Sequence, residues 1–185
     1  MYSDGVVTLA PFEREDLEQV RAWVNDPELC RAVDRVLPVT RCQHERWYES
    51  LIRQKDAVTF AVRCDDPSPG RGRTGAAHLI GLCGLKHIHP RHHHAELWIY
   101  LGDAASRGRG LGRRAVRLLA SFGFQQLNLH RIQLHLAAFN EPARRAYLAC
   151  GFREEGRDRE HVFLDGRYHD AIRMGLLRSE FSRDK

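Results

Sequence analysis

Two spacings of apolar side chains recur along this sequence of 185 residues and divide it into elements. A period near two residues predicts a strand, and a period near 3.6 residues predicts a helix. The predicted strands are residues 7–9, 58–63, 79–88, 95–101, 131–138, 159–164 and 167–177. The predicted helices are residues 14–24, 40–55, 110–126 and 142–150. The resulting order is β, α, α, three β, α, β, α, β, β.

Turn and capping residues support several of these boundaries. Residues 40–43 match a capping box, which opens a helix. Pro142 suits the first turn of a helix, whereas residues 25–27 end the first one. Residues 65–73 carry the glycines and prolines of a loop, and residues 165–166 form a favoured hairpin turn.

One mixed sheet with helices on both faces is the simplest arrangement for this order of elements. It is an α/β (α+β) fold. A chain of this length buries about 70% of its unfolded surface, so it needs no disulfide or metal for stability. We therefore expect residues 1–185 to form a single domain, with residues 178–185 as a flexible tail.

Composition narrows the class of protein further. Apolar residues make up 43% of the chain, which excludes bulk disorder, and no run approaches the ~20 apolar residues of a membrane helix. The first residues carry no secretory signal pattern. The cysteines are odd in number and form no C-x-x-C pair, which is typical of reduced thiols and predicts a cytoplasmic protein. They are Cys30, Cys42, Cys64, Cys83 and Cys150.

The net charge of +5 comes from 29 basic residues, nearly all of them arginine, against 24 acidic ones. An arginine excess reflects either a GC-rich coding sequence or attraction to an anionic ligand. A nucleic-acid binder would need a basic helix or an aromatic platform, and neither is recognisable here. Acidic residues also alternate with the arginines throughout the chain, so nucleic-acid binding is not expected.

The segment between the fourth predicted strand and the third predicted helix is rich in glycine and arginine. Glycines let the backbone approach a ligand, and the first N–H groups of a helix have no partner within it. Together with the helix dipole they predict an anion site that suits a pyrophosphate. The spacing matches neither a Walker A loop nor a Rossmann loop. The residues of this predicted site are Arg107, Gly108, Arg109, Gly110, Leu111, Gly112 and Arg113.

A second motif covers residues 140–152, and with it the sequence resembles the GCN5-related N-acetyltransferase (GNAT) superfamily. The pattern Arg107-x-x-Gly110-x-Gly112 matches the acetyl-CoA pyrophosphate loop of that family. Segments 13–17, 95–97, 128–131 and 165–174 are most similar to the branch of polyamine and ribosomal-protein N-terminal acetyltransferases. Segment 23–27 instead resembles amino-sugar acetyltransferases.

The resemblance implies a mostly antiparallel sheet of about seven strands in which the fourth strand splays from the fifth. It implies that acetyl-CoA is the cosubstrate and that its pantetheine pairs with the backbone of Ile99, Tyr100 and Leu101. An N–H group there would also hold the thioester oxygen. The last strands of such folds often pair between subunits, so the resemblance leaves a homodimer as an open prediction.

Transfer to an amine requires removal of the amine proton and protonation of the departing thiolate. Tyr147 is the candidate acid, the alternative being a core tyrosine. Glu96 is the candidate base, acting through a water, and the alternative is a charge that faces solvent. Asn140 either binds pantetheine or caps the following helix, and both are compatible.

Three further hypotheses remain open at this point. A non-catalytic acyl-CoA-binding module is an alternative to the enzyme. The acceptor is a polyamine, a protein N-terminus, or an amino-sugar or antibiotic amine. The histidines of the loop between the third and fourth strands form a basic, pH-sensitive rim rather than a metal site, because their spacing is irregular. They are His87, His89, His92, His93 and His94.

Overall fold

The computed structural model describes residues 1–33, 38–65 and 77–182. The strands in these residues are β1 (Tyr2–Ser3), β2 (Val7–Ala10), β3 (Val58–Cys64), β4 (His78–His89), β5 (His94–Leu101), β6 (Arg131–Ala137), β7 (Arg153–Leu164) and β8 (Arg167–Leu177). The helices are α1 (Leu17–Trp23), α2 (Pro27–Ala32), α3 (Arg41–Leu51), α4 (Leu111–Gln125) and α5 (Glu141–Leu148).

All eight described strands belong to one sheet in the order β1-β2-β3-β4-β5-β6-β8-β7. Every neighbouring pair is antiparallel except β5 and β6, which run parallel. The mixed, mostly antiparallel sheet is confirmed. The strand beyond the expected seven is the short β1, which pairs with β2.

Helices cover both faces of the sheet, as expected. On one face α4 buries an apolar stripe against the sheet, and Tyr147 of α5 and Cys150 just after it belong to the same core. On the other face α1 and α3 pack over a smaller core, which includes Trp98 and Tyr100 of β5. The alternation along β5 sends Leu97 to the first core and Trp98 to the second.

Helix α2 was not expected, because residues 25–27 were interpreted as the end of the first helix. In the structure these residues end α1 and also begin α2. The Asp26 side chain accepts a hydrogen bond from the Glu28 N–H, and Pro27 occupies the first helical position. Capping by Asp and proline at the first turn is a helix-start signal that the sequence already contained.

The remaining differences lie at the ends of elements. Strand β7 begins at Arg153, six residues before the predicted start at 159. Residues 178–180, placed in the predicted flexible tail, form a 3-10 turn, and Phe181 packs on Phe124 with ring centroids 5.3 Å apart. The predicted loop 65–73 lies outside the described residues from position 66 onward. No helix in the described ranges has both the length and the apolar composition needed to cross a membrane.

Candidate active site

The parallel strands β5 and β6 pair over only three positions and then separate. The last of these positions joins Glu96 to Gln133. Beyond it, β5 continues to pair with β4 as far as Leu101, while β6 continues to pair with β8 as far as Ala137. Within the described residues, no strand pairs with the β6-facing edge of β5 from Leu97 to Leu101. This opening confirms the splayed fourth and fifth strands, and it leaves backbone groups of Ile99, Tyr100 and Leu101 at a strand edge.

The glycine-rich loop lies just after the open end of β5. Gly108 and Gly110 have positive φ angles of +73° and +78°, which side-chain-bearing residues rarely adopt. Gly110 is the N-cap of α4. The N–H groups of Leu111 and Gly112 therefore open the first turn of a 15-residue helix without partners inside it. The end of the helix, its dipole and the neighbouring Arg109 and Arg113 provide the features of a phosphate site.

Arg107 has a different surrounding from the one that the loop pattern predicted. Its Nε donates to the Leu101 carbonyl at 3.1 Å, and its Nη1 lies 2.9 Å from Glu28 of α2. The Arg107 guanidinium thus joins the end of β5 to α2. Its charge is already matched by a carboxylate, so the side chain contributes to the position of the loop.

Asn140 makes the corresponding connection on the other side of the opening. Its Oδ1 accepts from the Ala143 N–H at 3.2 Å, so it caps α5 as one of the two interpretations predicted. Its Nδ2 donates to the Ala32 carbonyl at the end of α2 at 3.3 Å. Helix α2 therefore contacts residues that follow both β5 and β6, and it spans the open end of the split between them.

Tyr147 lies on α5 and is buried, with 9% of its surface exposed. Its ring packs edge-on against Phe152, with centroids 5.9 Å apart. Burial raises the pKa of Tyr147 to about 12, so the phenol keeps its proton at neutral pH.

Glu96 occupies the last paired position before the split. Its carboxylate lies 2.8 Å from Nζ of Lys86, the residue opposite it on β4, and 3.3 Å from Nδ1 of His87. Burial acts to raise the pKa of Glu96, but these bonds and the nearby His135 outweigh it and lower the pKa below its ordinary value. Glu96 is therefore ionised at neutral pH and held at the apex of the split.

A large cavity lies on the face of the sheet opposite α4. It has a volume of about 1240 Å³ and reaches β5 at Trp98, Ile99 and Tyr100. Trp47 of α3 and Phe163 of β7 also line it. We refer to it as the aromatic cavity, defined by Trp47, Trp98, Tyr100 and Phe163.

Sequence reasoning missed the aromatic cavity. Glu96, Trp98 and Tyr100 alternate along one strand and so share a face, which is the signal that points to part of it. The contributions of Trp47 and Phe163 come from elements far apart in the sequence, and no local pattern indicates them.

The clustered histidines lie at the turn between β4 and β5. The rings of His89, His92 and His94 stack, with centroids 4.4 to 6.2 Å apart. Burial and the two neighbouring histidines lower the pKa of His94. The described part of the chain contains no group of three or more side chains suited to hold a metal ion.

Comparison with known proteins identifies the protein family that shares this fold. Residues 7–153 match the family model of the acetyltransferase (GNAT) domain. The spermidine N(1)-acetyltransferase of Escherichia coli K12 is 30% identical over 181 residues, which cover 98% of this chain and 91% of that protein.

Solved structures agree with this assignment. The spermidine N-acetyltransferase of Vibrio cholerae in complex with CoA and spermine superposes with a TM-score of 0.84 at 30% identity, covering 96% of this chain and 98% of that one. A dodecameric structure of the V. cholerae enzyme gives a TM-score of 0.78 at 29% identity, covering 98% and 100%. The chain belongs to the GNAT family of acetyltransferases and catalyses the acetyl-CoA-dependent N-acetylation of an amine.

Proposed function

We propose that the protein transfers the acetyl group directly from acetyl-CoA to a primary amine in the split between β5 and β6, without a covalent enzyme intermediate. The observation that carries this proposal is the separation of the two strands after Glu96 and Gln133. It provides one opening that has a phosphate site at its mouth and an ionised carboxylate at its apex.

In this proposal, acetyl-CoA is held at two places. The diphosphate lies against the first-turn N–H groups of α4, with Arg109 and Arg113 beside it. The pantetheine runs along the free edge of β5 and pairs with backbone groups of Ile99 and Leu101. An N–H group of this edge also donates to the thioester oxygen, where negative charge develops during attack.

The transfer needs two proton movements, which we assign to two side chains. The ammonium of the acceptor gives a proton to Glu96 through a water, and the amine nitrogen then attacks the thioester carbon. As the C–S bond breaks, the Tyr147 hydroxyl donates its proton to the sulfur of the departing thiolate. The attacking nitrogen loses its second proton to solvent as the amide forms, Glu96 releases its proton to solvent, and Tyr147 takes a proton back from solvent. The products are the acetylated amine, coenzyme A with a free thiol, and one net proton.

The properties of Cys150 support direct transfer. It lies three residues after Tyr147, and burial raises its pKa to about 11. A thiol with this pKa is almost entirely protonated at neutral pH, whereas the thiolate is the nucleophile that an acetyl-cysteine intermediate requires.

We further propose that the protein works in the cytoplasm as a homo-oligomer. The five cysteines are free thiols, which suits a reducing compartment. A relative forms a dodecamer. Strand β7 lies at the end of the sheet order, and strand edges of this kind are open to pairing with a second copy.

Replacing Tyr147 tests the proposed acid. We expect Tyr147→Phe to lower kcat about 100-fold, since general acid catalysis contributes factors of this order. The KM for acetyl-CoA should stay within about twofold because the ring still packs on Phe152. Steady-state kinetics with the conservative control Tyr168→Phe, an exposed tyrosine of β8, should match the unmodified enzyme. Unchanged turnover in Tyr147→Phe would remove this residue from the chemistry.

The pH profile tests the same assignment independently. Glu96 has a lowered pKa and is ionised at neutral pH, while Tyr147 stays protonated until its pKa of about 12. The value of kcat/KM for the amine should therefore be independent of pH between the pKa of Glu96 and the amine pKa near 10, because the ionised carboxylate takes the proton of the bound ammonium throughout this range and the acid adds no descending limb. A fall in the profile between about pH 8 and pH 9.5 would show an acid other than Tyr147.

The glycine loop is tested by a pair of matched substitutions. Gly110 and Gly166 both have φ of +78°, and an added Cβ meets nothing within 4 Å at either position. Each alanine variant should therefore lose a similar stability, about 1 kcal/mol. Calorimetry should show Gly110→Ala weakening acetyl-CoA binding about tenfold, because the first-turn N–H groups shift, and Gly166→Ala should leave binding unchanged. Equal affinities in the two variants would contradict the phosphate site.

Light scattering on the purified chain tests the assembly. The chain has a mass of 21.3 kDa, and we expect a measured mass of at least twice this value, at a whole multiple of it. A stable species of single-subunit mass across micromolar concentrations would show that the oligomer does not form.

A further inference from the structure

The aromatic cavity opens directly onto the proposed site of transfer. Ile99, whose backbone lies on the free edge of β5, also lines this cavity. Glu96, Trp98 and Tyr100 alternate along the same strand and face away from α4. Lys86 and His87, the two partners of Glu96, line the cavity as well. An amine that reaches Glu96 from this side therefore has its remaining atoms in the aromatic cavity.

The walls of this cavity are apolar and aromatic. The rings of Trp98 and Tyr100 lie side by side, with centroids 6.2 Å apart and planes within 30°. Trp47 faces in from α3, and Phe163 faces in from the β7 side with 55% of its surface exposed. Aliphatic residues complete the wall. They are Val24, Leu29, Val33, Val39 and Leu51.

The charges in the same wall do not suit a polycation. Among the described residues that line the cavity, Asp56 is the single carboxylate, while Lys86 contributes a positive charge. The Glu96 carboxylate beyond them, 2.8 Å from Lys86, can attract the one ammonium that reacts, which leaves the further amino groups of a polyamine with Asp56 alone among these residues. A polyamine such as spermidine carries a positive charge on each amino group at neutral pH. Burying such charges without paired carboxylates is costly.

We propose that the preferred acceptor is an amine with one positive charge joined to an aromatic or branched apolar body, and not a polyamine. This inference rests on the proposed function, because it places the acceptor in the cavity that opens onto the split. The single ammonium is attracted to Glu96, and the apolar body fills the space between the aromatic side chains. Stacking on aromatic rings adds affinity beyond the area buried.

A panel of amines tests this preference by measuring thiol release from acetyl-CoA. The probes are 2-phenylethylamine, spermidine, and the peptide Phe-Ala-Ala with a free amino terminus and an amidated carboxyl terminus. We expect kcat/KM for 2-phenylethylamine or for the peptide to exceed that for spermidine by about tenfold or more. The relative rates of the first two distinguish a free amine from a peptide amino terminus as the source of this chemistry.

The outcomes separate this inference from the proposed function. A kcat/KM for spermidine equal to or above those of both aromatic amines overturns the inference and leaves direct transfer intact. Acetyl-CoA binding by calorimetry, with no thiol release from either aromatic amine, also overturns the inference. Absence of acetyl-CoA binding contradicts the proposed function itself.

Two substitutions locate the preference in the cavity. Phe163→Ala should raise the KM for 2-phenylethylamine about fivefold and leave the KM for acetyl-CoA unchanged, since an exposed aromatic wall is lost. The control Ile52→Ala removes an apolar side chain that is 84% exposed and does not line the cavity, so it should change neither constant. Equal KM values for 2-phenylethylamine in the two variants would show that Phe163 does not contact the acceptor.

The second substitution adds charge without changing shape. Gln54 lines the cavity, and Gln54→Glu places a second carboxylate there. We expect kcat/KM for spermidine to increase about threefold, while that for 2-phenylethylamine changes less. No increase for spermidine would contradict the argument that charge sets the preference.

Discussion

The candidate active site of this protein depends on the failure of two parallel strands to stay paired. Strands β5 and β6 share three paired positions and then diverge after Glu96 and Gln133. Each strand is held along its length by its other neighbour, β4 on one side and β8 on the other. The pairing of each strand with its other neighbour therefore keeps the split open. The free edge of β5 can form hydrogen bonds with a ligand without the loss of any strand pairing.

Several groups that we assign to the site converge on this opening because each follows one of the two strands. The glycine loop and α4 follow β5, and Asn140 and α5 follow β6. Helix α2 contacts both sides, through the Glu28–Arg107 ion pair and through the bond from Asn140 to the Ala32 carbonyl. Its position joins the loop that we assign to the cofactor with the helix that bears Tyr147.

The accuracy of the sequence predictions follows the physical origin of each signal. Strands with one buried face, such as β6, show a clear two-residue period and were predicted within one residue. The first half of β7 is exposed on both faces and rich in charge, so it has no apolar period. It is a strand because it pairs with β8, and this pairing is a long-range contact. Helix α2 was missed although its cap and proline were visible, since the same residues also end α1.

The sequence alone determined what local chemistry specifies. Glycines at 108 and 110, placed ahead of an amphipathic helix, allow a positive-φ turn there and supply no side chain to cap the first N–H groups of the helix. The tertiary structure decided which charges remain available. The cross-strand register places Lys86 opposite Glu96, and this contact helps to lower the pKa of the Glu96 carboxyl group. The packing of α2 gives Arg107 a carboxylate partner, Glu28. It also assembled the aromatic cavity from α3, β5 and β7, because side chains distant in sequence become neighbours only when the sheet and helices close around one core.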